Sequence, residues 1–90
     1  MELNQARIEI NNIDKEIVKL WEKRFNTVNE IGHYKRKQKL PVYDEVRERQ
    51  VVDNCISLLE NKEYSKCIAD IYFQIMRGCK EIQNILKEEE

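Results

Sequence analysis

From Leu3 to Lys39 no proline interrupts the chain, and only Gly32 weakens its tendency to be helical. Along this stretch Leu3, Ala6, Ile10, Ile13, Ile17 and Leu20 recur at alternating steps of three and four, the pattern of a helix packed against another helix. A helix of about 35 residues is roughly 50 Å long at a rise of about 1.5 Å per residue. A compact chain of 90 residues has a radius of gyration of only about 12 Å. Such a rod must overhang its own fold, so its apolar seam needs cover from another chain. Periodic helices beyond about 25 residues point to helical association in any case. The first expectation is a homodimer built around this helix.

Leu40-Pro41 predicts the end of the rod, because the residue before proline is pushed out of the helical region and proline has no amide to donate. Asp44 then stands where a carboxylate complements a helix N-terminus. A second helix is expected from about 44 to 60, with Val51, Val52, Cys55, Leu58 and Leu59 on its buried side. Asn61 to Ser65 reads as a polar turn with Ser65 capping a third helix. The stripe of that helix is Ile68, Ile71, Tyr72, Ile75, Cys79, Ile82 and Leu86, with Gln83 out of character on nearly the same face. Glu88-Glu89-Glu90 reads as a frayed, solvated end. With 41% hydrophobic and 37% charged residues, two glycines and one proline, the composition suits long amphipathic helices rather than sheets. The expected fold is all-α: three helices, one very long and then two shorter, in a single domain spanning residues 1–90.

Sixteen basic and seventeen acidic residues nearly cancel, so no global field gathers nucleic acid or an anionic membrane. The cluster from His33 to Lys39 is short and reads as a solvated face. No apolar run approaches the roughly 18 residues of a membrane helix, and Met1-Glu2-Leu3-Asn4 lacks the opening of a secretory signal. A cytoplasmic protein is expected. Cys55, Cys67 and Cys79 are odd in number and lack CxxC or paired Cys/His spacing, which disfavours both a disulfide framework and a zinc site.

Chemistry concentrates around the Leu40-Pro41 break. Arg24 and Lys35 are close to three helical turns apart, on one face of the rod with about 16 Å of rise between them. Asp44, Arg47 and Glu48 share one face of the second helix at i, i+3 and i+4. Folding that helix back brings these cations and carboxylates around one small pocket. Arginine grips a carboxylate with two parallel hydrogen bonds, while lysine approaches a single oxygen as a point charge. Arg7 lies roughly 25 Å behind Arg24 on the same rigid rod, so only a second copy in an antiparallel dimer can bring it to this pocket.

Taken together, Arg7, Ile10, Ile13-Asp14, Ile17-Val18, Arg24, Ile31-Gly32, Lys35, Pro41-Val42, Asp44, Arg47-Glu48-Arg49 and Gln83 resemble the AroQ-type chorismate mutase family over almost the whole chain. The resemblance implies an intertwined all-helical homodimer that isomerises chorismate to prephenate, without cofactor or metal. It implies that Arg24 and the partner's Arg7 hold the two substrate carboxylates, that Lys35 and Gln83 face the ether oxygen, and that Glu48 and the Asp44 region take the ring hydroxyl. Arg47 would buttress the pocket. Ala6 and Asn11 depart from a common Leu and Asp, and Cys79 stands where a serine often touches a carboxylate. A thiol is a much weaker donor. Two other functions fit the same helices: an isochorismate pyruvate-lyase, or a helical dimerisation module without activity.

Overall fold

A computed structural model of the chain describes residues 2–88. They form three α-helices, α1 (Leu3–Lys37), α2 (Glu45–Ser57) and α3 (Ser65–Glu88), with a 3-10 turn at Lys62–Tyr64 leading into α3. No strand occurs among the described residues, so the class is all-α, with the long helix first. Part of the acidic end, Glu89-Glu90, lies outside the described residues.

The rod stops earlier than proline alone requires. Its C-cap is Gln38, and Lys39 follows in the left-handed region at φ 56°. This turn lets the Lys39 amide donate to the Arg36 carbonyl at 3.1 Å and the Leu40 amide to the Lys35 carbonyl at 2.7 Å. Two carbonyls that would otherwise end unpaired are thereby satisfied, in the pattern usually built on glycine. Pro41 keeps Leu40 out of the helix but is not what ends α1.

Only the second half of α1 packs within this chain. Val28 and Gly32 are its buried positions, and Trp21 meets Tyr72 of α3 edge to face, with ring centroids 5.9 Å apart. Leu3, Ile10, Ile13, Ile17 and Leu20 all remain exposed. The resulting body measures 53 × 24 × 15 Å with a radius of gyration of 16.1 Å, well above the compact expectation of about 12 Å. Both α1 and α2 lie against α3, and the most buried apolar residues of the described chain are Val28, Val52, Met76 and Cys79.

Two boundaries differ from the sequence expectation. α2 ends at Ser57, and Leu58 is 81% exposed rather than buried. Lys62 explains this stop: its ammonium donates to the carbonyls of Ile56 at 2.8 Å and Ser57 at 3.1 Å, placing a cation at the negative end of the helix dipole. The capping residue before α3 is Asn61, not Ser65. Asn61 Oδ1 accepts from the Glu63 amide at 3.0 Å and starts the 3-10 turn, whereas Ser65 is already the first residue of α3 and donates to the Lys62 carbonyl at 2.7 Å. Along α3 the buried row is Met76, Cys79 and Gln83, at steps of three and four, with Tyr72 half-buried one turn before it. Ile71 falls outside this row and is exposed. No described helix is long and apolar enough to cross a membrane.

A left-handed lysine carries a steric penalty of roughly 1–2 kcal/mol that glycine avoids, partly offset by about 0.5–1 kcal/mol of extra backbone entropy lost on folding glycine. Lys39→Gly is therefore expected to stabilise the fold by roughly 0.5–1 kcal/mol, read as a rise in Tm by circular dichroism.

Candidate active site

α1, the 38–44 loop, α2 and α3 meet around a cavity of ≈ 90 Å³ whose walls include Lys35, Asp44, Arg47, Glu48, Cys79 and Gln83. Sequence reasoning placed all six in the site, and the fold brings them together. A larger cavity of ≈ 370 Å³ shares Lys35, Val42 and Gln83 with it and extends along Gly32, Leu40 and Pro41. The half-buried Lys35 ammonium donates to the Val42 carbonyl at 3.0 Å. That bond ties α1 to the loop and leaves two of its three donors uncommitted by this contact.

Gln83 is only 8% exposed, and its Oε1 is buried without a hydrogen-bond partner. An orphaned buried polar atom is expensive, and in native folds it marks strain or a group met by an ordered water or a ligand. Its position in the wall shared by both cavities points to the ligand. A half-turn of the amide exchanges its donor and acceptor ends, so Gln83 can present either one to a bound molecule.

Arg24 approaches from the next turns of α1. Its Nη1 donates to the buried Cys79 sulfur at 3.2 Å, and its guanidinium lies 5.8 Å from the centroid of the Tyr72 ring. Burial, together with a hydrogen bond and unfavourable charge interaction with Cys55, pushes the Tyr72 phenol above its usual pKa; Arg24 pulls it the other way. Tyr72 thus stays neutral at physiological pH, and the contact beneath Arg24 is cation to ring face rather than an ion pair.

At the start of α2, Asp44 Oδ1 accepts from the Arg47 amide at 3.0 Å, so this carboxylate caps the helix while facing the cavity. Glu48 is paired with Lys80 at 3.2 Å, their side chains 19% and 32% exposed. The other described ion pairs, Arg49–Glu45 and Lys66–Asp70, are each more than half exposed on both sides and add little. Lys80 escaped the sequence reading because a lysine beside a core cysteine looks like a solvated neighbour. The available signal was Met76, Cys79, Lys80 and Gln83 at i, i+3, i+4 and i+7, one helical face. Arg7 is exposed on the unpacked half of α1, roughly 25 Å of rise from Arg24, and is not among the residues gathered here.

Lys35, Arg47 and Lys80 line the ≈ 90 Å³ cavity with two carboxylates, Asp44 and Glu48, while Arg24 lies in an adjoining cavity beside Tyr72 and reaches this one through its bond to Cys79. The site thus carries an excess of two positive charges, suited to a small dianion. No cluster of His, Cys, Asp and Glu side chains able to hold a metal occurs among the described residues.

A family profile described as chorismate mutase type II matches residues 6–84. The chain belongs to the chorismate mutase type II family. It is also 32% identical over 92 aligned residues to the bifunctional chorismate mutase/prephenate dehydratase of Aquifex aeolicus (strain VF5), an alignment covering 96% of this chain and 25% of that protein. The chain spans about a quarter of the length of this curated relative. The resemblance drawn from Arg7 through Gln83 was to this same chorismate mutase family.

For this chorismate mutase family member, the ring beneath Arg24 yields a direct test. This contact is internal to the fold, so removing it costs roughly 0.5–2 kcal/mol of stability. Tyr72→Leu is expected to lose stability in that range by chemical denaturation, while Tyr72→Phe, which keeps the ring beneath Arg24, stays closer to wild type.

Proposed function

We propose that residues 1–90 act as one chorismate mutase domain, converting chorismate to prephenate on the route to phenylalanine and tyrosine, in two sites shared across an intertwined homodimer. The observation that carries this reading is the convergence of Lys35 and the orphaned Gln83 amide on one cationic pocket. The reaction is a Claisen rearrangement, a unimolecular step that needs no nucleophile, metal or proton transfer. Two tasks remain: folding the enolpyruvyl arm over the ring, and stabilising negative charge that grows on the ether oxygen as its bond to carbon breaks.

Orientation falls to the arginines. Arg24 would grip one carboxylate, held for the purpose by Cys79 and Tyr72, and the partner's Arg7 the other. Cys79, already accepting from Arg24, is better suited to fixing that guanidinium than to donating to substrate. Electrostatic stabilisation falls to the ammonium of Lys35 and the amide of Gln83, preorganised around the ether oxygen. Glu48 and Asp44 would receive the ring hydroxyl, with Arg47 bracing the wall.

The dimer is supported by the exposed seam of Leu3, Ile10, Ile13, Ile17 and Leu20, which lies on the same unpacked half-rod as Arg7. An antiparallel partner would cover the seam and deliver the partner's Arg7 to the pocket in one movement. We place the protein in the cytoplasm, a reducing compartment that fits three free cysteines.

Two experiments test this reading. Lys35→Ala is expected to lower kcat by about a hundredfold or more, the loss typical of one such donor, with helical content unchanged. Prephenate formation by the wild type is the reference, and release of pyruvate from isochorismate instead would establish the lyase. Mixed Arg7→Ala and Arg24→Ala subunits are expected to recover activity after exchange, because one of the two sites in a heterodimer then keeps both arginines; no recovery would exclude a shared site.

A further inference from the structure

Lys80 stands at the meeting point of three elements. Its ammonium leaves α3 to pair with Glu48 of α2 at 3.2 Å and lies 4.7 Å from the centroid of the Tyr43 ring in the loop before α2. The residue before Tyr43 is Val42, whose carbonyl accepts from Lys35 at 3.0 Å. Two consecutive loop residues are thus held between two lysines, Lys35 of α1 on one side and Lys80 of α3 on the other. Lys80 also lies in the wall of the same cavity as Lys35, Glu48 and Gln83.

We propose that Lys80 is a positioning residue that holds the Glu48 carboxylate, and through Tyr43 the adjoining loop, in the arrangement that recognises the ring hydroxyl of the substrate. The proposal rests on the chorismate mutase reading above and extends it to a residue outside the expected set. The geometry divides the work of Glu48 between its two oxygens. Oε2 is the atom bonded to Lys80, and a carboxylate so anchored has its other oxygen to accept a hydroxyl proton. Without the ammonium, Glu48 would be an uncompensated anion in a largely buried position, free to turn toward the nearby cation Arg47. The Tyr43 contact adds a ring face to the same ammonium, so loss of Lys80 loosens both walls at once.

A hydroxyl contact made equally in ground and transition states changes KM and leaves kcat alone. Lys80→Met keeps the packed stem and removes the charge. It is expected to raise KM roughly tenfold, within the range of a lost hydrogen bond to a charged group, with kcat within about twofold of wild type. The wild type should also prefer chorismate over an analogue lacking the ring hydroxyl by roughly tenfold or more, and Lys80→Met should erase most of that preference. Lys80→Arg, which can still reach Glu48, should restore it. A merely structural lysine would alter Tm without altering discrimination between the two substrates.

Should Lys80→Met lose its helical circular dichroism signal, Lys80→Gln takes its place under the same criteria. Unchanged KM and unchanged discrimination in the folded variant would overturn the assignment while leaving the functional reading intact. A wild-type protein that forms no prephenate would overturn that reading and the role of Lys80 with it.

Discussion

A guanidinium packed between two helices is the constraint around which the rest of this fold is arranged. Arg24 sits on the seam of α1 at the point where that helix begins to bury against α3. A charge taken out of water needs compensation, and its described partners, a thiol sulfur and a ring face, are weak ones. The packing of α1 on α3 therefore leaves a cation short of acceptors. Cys79 and Gln83 follow on the same row of α3, and the loop beyond α1 brings Asp44 and Glu48 to the far wall. On the proposed function, an arriving carboxylate would complete this arrangement, and a chain with almost no net charge could hold an anion there because the charge is local.

The helical architecture was legible because it is periodic. The seam from Leu3 to Leu20, the break at Leu40-Pro41 and the stripe after Ser65 were enough to place one long helix and two shorter ones. Charged residues at fixed offsets pointed to Lys35, Asp44, Arg47 and Glu48, and the family resemblance added Cys79 and Gln83. Features that depend on single side chains acting against their usual habits were not legible. Lysine is a poor left-handed residue, so nothing marked Lys39 as the stop of α1. Ser65 has the right chemistry for a cap, but Asn61 reaches the turn first. Leu58 looked like core, and Lys62 ends α2 before it can be buried. Lys80 lies next to a core cysteine, where helical spacing identifies a face but not the carboxylate opposite.

The distribution of buried surface has a thermodynamic side. The most buried apolar residues belong to the packed half of α1, α2 and α3, while the first half of α1 carries an apolar seam that stays exposed among the described residues. Short isolated helices are marginal in water, and most helical stability in proteins comes from packing of an apolar face. Association that covers such a seam contributes to folding itself, so stability then depends on protein concentration.

One residue ties backbone geometry to electrostatics in opposing directions. Lys39 adopts a twist that glycine takes freely, yet it also stands with Lys35 and Arg36 in the lining of the ≈ 370 Å³ cavity. Relaxing the helix end by shedding this side chain would strip a cation from the cavity lining. A search for sturdier variants of this chain would thus be drawn to a position where the gain in robustness dilutes the local field, a conflict visible only when torsion and charge are weighed at the same atom.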